Sequence, residues 1–199
     1  MNIKYTITFH NEWHCGSGLA AGADVDALVV KDHDGLPFVP GKTIKGLVRE
    51  ALQDIYACEG KAPEPLTHLL GIENDNPDDQ GADDKWQTGG MKQGCAFFTN
   101  ATLPTTETDA IKQHSVAHLL YRSISSTAID TDGVADDHSL RKTQVTVPCT
   151  LEGEILNVPE ALAADTCRAL RYIKRMGQNR SRGYGRCDIN PTVQKGGDA

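Results

Sequence analysis

The sequence predicts a single α+β domain of strand–helix–strand–strand–helix–strand order that carries insertions. Three observations predict it. Segments at the start and past the middle of the chain alternate apolar and polar residues with a period of two, the mark of half-buried strands. Two stretches show helical apolar spacing, and each is opened by a proline. Runs rich in Gly, Asp and Pro separate these elements.

Residues 3–9, Ile-Lys-Tyr-Thr-Ile-Thr-Phe, form the first expected strand. A Gly-rich turn, Cys15-Gly16-Ser17-Gly18, follows it. Val25–Val30 is a second extended piece, and His33-Asp34-Gly35 is a turn. Pro40-Gly41 opens the clearest helix: Ile44, Leu47, Val48, Ala51, Leu52 and Ile55 share one face, and the helix should end near Cys58-Glu59-Gly60. Residues 60–94 read as a long surface insertion. Cys95–Leu103 is an expected strand, Pro104–Thr108 a polar break, and Ile111–Leu120 a short helix. Ser123–Ser139 reads as a protruding loop or hairpin, and Thr143–Ile155 as one long strand. Pro159 begins a second helix with Leu162, Thr166, Ala169, Leu170 and Ile173 on one side, and Gly177 is its expected cap. Cys187–Ile189 is a closing strand. This order is that of the ferredoxin-like (RRM-like) βαββαβ domain. It is expected over residues 1–192, with an acidic surface insertion at about 59–94 and a disordered tail at 193–199.

The chain has 199 residues and six cysteines, none in C-x-x-C spacing, so free thiols are expected. The start, Met1-Asn2-Ile3-Lys4-Tyr5, has no basic-then-apolar leader, and no apolar run reaches the length of a membrane span; a cytoplasmic protein is expected. The net charge of −7 speaks at first against nucleic acid. Its distribution speaks differently. Carboxylates crowd Glu59–Asp84, whereas Arg171–Arg186 carries Arg171, Lys174, Arg175, Arg180, Arg182 and Arg186 and no carboxylate.

Two constellations fit a phosphate backbone. At the first helix start, Lys42, Lys45 and Arg49 form a basic stripe beside a helix N-terminus, whose N–H groups favour anions. A solvated polar face would look the same. The spacing is not that of a P-loop, so nucleotide hydrolysis is not expected. The second is the run Gly177 to Arg186. There Gly183 and Gly185 permit close approach of backbone to phosphate, Arg180, Arg182 and Arg186 supply charge, and Tyr184 offers a face for a base. A glycine-rich turn before an edge strand is the bland alternative.

Four stretches together resemble the RAMP superfamily of CRISPR-associated proteins, and within it the repeated backbone subunit of type III effector complexes. They are Trp13 to Gly18; Ala23 to Asp26 running on through Leu36-Pro37-Phe38-Val39-Pro40-Gly41-Lys42 to Gly46; Ala128-Ile129-Asp130 through Val147; and Ser181 to Arg186. Gln178 departs from the resemblance, standing where the family often has a second loop glycine. The resemblance implies a subunit that stacks with copies of itself along a guide RNA, beside other CRISPR effector subunits. The basic helix and glycine loop would hold the guide. A thumb-like segment at about 123–142 would wedge between guide and complementary single-stranded target RNA. Base pairing would then supply sequence specificity.

The resemblance also places a catalytic and metal-binding role on Asp26, with Mg2+ (or Mn2+) as the implied cofactor. Taken alone, Asp24-x-Asp26 reads more readily as a pair of carboxylates that cap or solvate a strand end. Related processing enzymes use a histidine, and His14 is the residue to weigh here; its surroundings favour a structural role. Two alternatives remain beside a target-cleaving backbone subunit: a stand-alone endoribonuclease acting on guide precursors, and an RNA-binding subunit without chemistry.

Overall fold

A computed structural model describes residues 1–20, 25–71, 93–136 and 138–194. Its elements in chain order are β1 (Asn2–Phe9), α1 (Gly41–Glu59), α2 (Glu64–Leu70), β2 (Phe97–Phe98), α3 (Thr105–His114), β3 (Tyr121–Ser126), β4 (Arg141–Thr146), β5 (Thr150–Leu156), α4 (Glu160–Tyr172) and β6 (Cys187–Gln194). Four strands form one sheet in the order β2-β5-β1-β6, with every pair antiparallel. β3 and β4 form a separate two-stranded hairpin. With that hairpin set aside, the first sheet strand lies between the third and fourth, which is the ferredoxin-like arrangement the sequence predicts.

The alternation in β1 has a direct cause. Ile3, Tyr5, Ile7 and Phe9 are buried, while Lys4, Thr6 and Thr8 lie on the other face. Tyr5 faces Gly153 across the ladder, and a Cβ on that glycine would stand 2.4 Å from the Tyr5 hydroxyl oxygen. The glycine makes room for the ring. Helix α1 buries Ile44, Val48, Ala51, Leu52 and Ile55 against the core and stops at Gly60, whose φ of 63° only glycine adopts at little cost. The larger of these side chains, Ile44, Val48, Leu52 and Ile55, each contribute roughly 1.5–3 kcal/mol by leaving water. α4 packs on α1 and β6. At the far end of α1, Arg168 and Lys61 clasp Glu59 at 2.5 Å and 2.8 Å, and the Tyr56 hydroxyl donates to Asp165 at 2.9 Å.

Several elements differ from the sequence expectation. Residues 60–71 are not wholly surface: Leu66, Leu69 and Leu70 of α2 enter the core. Residues 72–92, most of the expected insertion, lie outside the described residues, as does the tail 195–199. Val193 and Gln194, expected in that tail, instead extend β6, which runs well past Ile189. Cys95–Leu103 yields only the two-residue β2, with Ala101 and Thr102 in isolated bridges to Val39 and Glu152. The expected break at Pro104–Thr108 is the first turn of α3, because a proline is well tolerated just ahead of a helix. Helix α3 ends at His114, and residues 117–120 form a 3-10 turn. Val25–Val30 makes only isolated pairings, Ala27 with Thr143 and Val29 with Gly16. Thr143–Ile155 divides into β4 and β5, in different sheets. α4 ends at Tyr172, and Gly177 serves another turn. No helix among the described residues is long and apolar enough to cross a membrane.

Candidate nucleic-acid interface

The loop between α4 and β6 is built by glycines that admit no side chain. Gly177 has φ of 90°, and a Cβ there would stand 2.3 Å from the His14 carbonyl oxygen. Gly185 has φ of 66°, and its Cβ would meet the Met176 carbonyl oxygen at 1.9 Å. The backbone closes on itself and on the chain leaving β1. Gln178 N–H donates to His14 O at 2.9 Å, Gly185 N–H to Glu12 O at 2.8 Å, and Met176 N–H to Gly185 O at 3.0 Å. Asn11 adds two bonds, donating from its side chain to Gly183 O and accepting from Arg186 N–H at 2.8 Å. Asn179 takes the left-handed conformation ahead of a 3-10 turn at Arg180–Arg182. Gln178 has no positive φ, so the missing family glycine is not required by this backbone.

So supported, the loop holds Arg180, Ser181, Arg182, Gly183 and Arg186 exposed and Tyr184 half-buried. Arg180 reaches Glu50 of α1 at 3.5 Å. Arg182 and Arg186 form no ion pair among the described residues. The loop and α1 border a groove of about 140 Å³ lined by Leu47, Glu50, Tyr172, Lys174, Arg175 and Arg180.

The basic stripe on α1 is divided. Lys42 is exposed and Lys45 half-buried, and neither forms an ion pair among the described residues. Arg49 turns inward and donates to the carbonyls of Leu70 at 3.0 Å and Gly71 at 3.5 Å, where α2 ends. The helix start is not open to an anion at Gly41, contrary to the sequence expectation: its N–H donates to Asn100 Oδ1 at 2.9 Å, and a Cβ there would stand 2.1 Å from the Phe98 carbonyl oxygen. Beside it, burial pushes the Cys15 thiol up, against the opposing effects of a Thr43 hydrogen bond and the Lys42 charge.

Asp26 is exposed and sits beside the end of the β3–β4 ladder from which the 127–140 loop departs, next to Lys142. Its N–H donates to Lys142 O at 2.9 Å, and its Oδ2 accepts from Lys142 N–H at 2.7 Å. Gln144 N–H donates to Ala27 O at 3.0 Å. Asp26 Oδ1 has no hydrogen-bond partner among the described residues. Asp24 lies outside them. The segment 123–142 falls within this hairpin and its tip. There Asp130 Oδ1 accepts from the N–H groups of Asp132 and Val134, both at 2.9 Å, and Ser139 Oγ lies 2.5 Å from Thr127 Oγ1. Ile129, Val134 and Leu140 are left 60–68% exposed.

Among the described residues Asp26 presents one unengaged carboxylate oxygen, and such a group fits a cation such as Mg2+, which keeps several waters and binds through one or two carboxylates plus substrate phosphate. A tighter grouping, Asp32, His33 and Asp34, exists among the described residues and does not include Asp26. Lys112 lies 2.5 Å from Asp34 and holds its carboxyl below the usual range, so a protein cation already occupies that cluster.

His14 is 1% exposed, and its Nδ1 lies 2.6 Å from the Gln144 carbonyl oxygen. A carbonyl only accepts, so Nδ1 carries the hydrogen. The ring does not reach the surface, which matches the structural role expected of it. Sequence reasoning missed Asn11, Glu12 and Asn179, which shape the loop from below or within. For the two asparagines the signal was chemical, since Asn tolerates left-handed backbone and caps its own neighbours, whereas Glu12 acts through its carbonyl and carried none.

No protein of curated function matches the sequence. The fold is similar to a chain of the type III-B Cmr-beta complex bound to cognate target RNA, at a TM-score of 0.70 and 12% identity, covering 96% of this chain and 97% of that one. A chain of the apo Cmr-beta complex gives a TM-score of 0.68 at 12% identity, covering 96% of each. A chain of a type IV-B CRISPR complex gives 0.57 at 10% identity, covering 100% of this chain and 93% of that one. At these identities the likeness is one of fold. The sequence itself goes further, because the family model of the RAMP superfamily matches residues 6–188. The chain belongs to the RAMP superfamily.

Proposed function

We propose that the chain is a guide-RNA-binding backbone subunit of a type III CRISPR ribonucleoprotein complex, stacking in copies along the guide beside other effector subunits, and that it cleaves bound target RNA with the help of a divalent metal. The observation that carries this reading is convergence. The chain leaving β1 meets the glycine loop through Gln178–His14, the start of α1 through Cys15–Thr43, and β4 through His14–Gln144, which bonds on to Ala27 beside Asp26; Arg180–Glu50 holds the loop against the middle of α1. Lys42, Lys45, Arg182 and Arg186 have no carboxylate partner among the described residues, which leaves their charge for phosphates. Tyr184 offers a stacking face, and the apolar hairpin tip suits insertion beside bases. The similarity to a chain of a complex bound to cognate target RNA supports the same reading.

In the cleavage step, the ribose 2′-hydroxyl next to the scissile bond would give up its proton to solvent and form the new P–O bond, the P–O5′ bond would break, and the departing 5′-oxygen would take up a proton from solvent. Asp26 would hold Mg2+ or Mn2+ through Oδ1, and the bound ion would supply positive charge against the developing negative charge on phosphate. The Lys142 N–H fixes the carboxylate through its other oxygen. That same bond favours a second reading, in which Asp26 only secures β4 where the 127–140 loop rejoins it and the subunit binds RNA without cutting it.

Light scattering after size exclusion, with and without a guide-length single-stranded RNA, tests the binding. The wild type should form a multi-copy RNA complex, and a variant with Lys42→Glu and Lys45→Glu should not. A wild type that ignores RNA, alone and with co-purified partner subunits, overturns the proposal. On assembled complexes, Asp26→Ala should abolish Mg2+-dependent target cleavage while leaving assembly intact. Cleavage surviving in chelator and in Asp26→Ala would remove the metal mechanism.

A further inference from the structure

We propose that His14 is a positioning residue that ties the glycine loop to the Asp26 segment, so that the two sides of the interface keep one fixed spacing. The inference rests on the RNA reading above for its functional meaning. Its structural content does not depend on that reading.

On the loop side, the His14 carbonyl accepts Gln178 N–H at 2.9 Å and abuts Gly177, which has no room for a Cβ. On the hairpin side, the ring donates from Nδ1 to Gln144 O at 2.6 Å. The preceding residue pairs with the same strand, Trp13 N–H to Thr146 O at 3.1 Å and Thr146 N–H to Trp13 O at 2.8 Å. Gln144 N–H then bonds Ala27 O, and Lys142 bonds Asp26 through both backbone and carboxylate. A path of hydrogen bonds joined by short stretches of chain therefore runs from Gln178 through His14 and Gln144 to Ala27 and its neighbour Asp26. His14 is the member whose backbone serves the loop and whose side chain serves the hairpin.

The ring's other nitrogen shows that packing alone does not account for the residue. His14 Nε2 is buried without a hydrogen-bond partner. A buried polar atom left so is unfavourable, and an aliphatic side chain of similar size would avoid it. The ring is held by what Nδ1 does. The exposed Gly16 lies directly over Nε2, where a Cβ would come within 3.1 Å of that nitrogen and 3.8 Å of the Gln178 side-chain nitrogen. The glycine there lets the turn close over the ring.

The test compares three substitutions in the full chain. His14→Asn places an amide N–H where Nδ1 stands, His14→Gln places its amide nearer Nε2, and His14→Leu keeps volume without a donor. Amide hydrogen exchange at Lys142, Gln144 and Gln178 reads the coupling, and affinity for a guide-length single-stranded RNA reads its consequence. In His14→Leu and His14→Gln, exchange at Lys142 and Gln144 should quicken about tenfold, as expected when one buried hydrogen bond is lost. RNA affinity should fall by about the same factor, and His14→Asn should restore both to within about threefold. If His14→Leu fails to fold, the contrast between Asn and Gln still decides. Wild-type exchange and affinity in His14→Gln, or failure of His14→Asn to rescue, overturns the proposal. If the wild type itself ignores RNA, the RNA reading falls, while the exchange contrast still decides whether His14 couples the two segments.

Discussion

Gly185→Ala separates crowding from backbone strain, because Gly183 nearby shares a positive φ but not its surroundings. Gly183 has φ of 95°, and nothing lies within 4 Å of the place its Cβ would take. Gly183→Ala therefore costs only the unfavourable backbone region, about 1–2 kcal/mol. At Gly185 the same strain is joined by a Cβ placed 1.9 Å from the Met176 carbonyl oxygen, where real contacts do not fall below 3.0 Å. The carbonyl and Gly185 must part, and the bonds Met176 N–H to Gly185 O and Gly185 N–H to Glu12 O go with them. Two such bonds are worth roughly 1 kcal/mol each, giving a total near 3–4 kcal/mol. For a domain of this size that lowers Tm by about 6–16 °C, against about 2–8 °C for Gly183→Ala. Thermal denaturation followed by circular dichroism measures both, and RNA affinity should fall far more for Gly185→Ala. Equal Tm values for the two variants would refute the claim that the loop is locked against Met176.

Two further outcomes test the fold. Glu59 has its carboxyl lowered from 4.5 to about 2, first by the Arg168 hydrogen bond and then by Lys61. A depressed carboxyl contributes stability above its ordinary value and loses it as pH falls toward the lowered one. The wild-type Tm should therefore drop more steeply than that of Glu59→Gln between pH 4.5 and about 2; parallel curves would show that the clasp adds nothing. Leu69, fully buried in α2, should cost about 2–5 kcal/mol on Leu69→Ala, whereas Leu119→Ala, at 64% exposure, should stay within about 0.5 kcal/mol. A Leu69→Ala variant with unchanged denaturant midpoint would remove α2 from the core.

Legibility in the sequence followed the reach of the forces involved. α1 was readable because its apolar residues are local, periodic and ended by Gly60. The division of Thr143–Ile155 was not, because the alternation runs on while the partner changes. Pro148, which lacks an N–H, ends pairing with β3, and β5 then finds β1. α2 was hidden because three leucines among prolines and glycines make a pattern only when docked on α1. Among candidate site residues, the glycine loop was legible as a loop. Its anchoring on Glu12, His14 and Asn11 was not, since these contacts link residues far apart in the chain. Arg49 shared the stripe of Lys42 and Lys45 in sequence, yet the α2 carbonyls claim it.

The two edges of the central sheet meet solvent differently. β2 offers two residues, too few to template a neighbour, and β6 carries Pro191 opposite Tyr5. Proline has no N–H to give, so a strand from another molecule could not continue a ladder past that point. A protein crowded against copies of itself would meet unprotected sheet edges at high local concentration, the condition that seeds fibrous aggregation. The brevity of one edge and the proline in the other keep encounters between copies from becoming shared sheets.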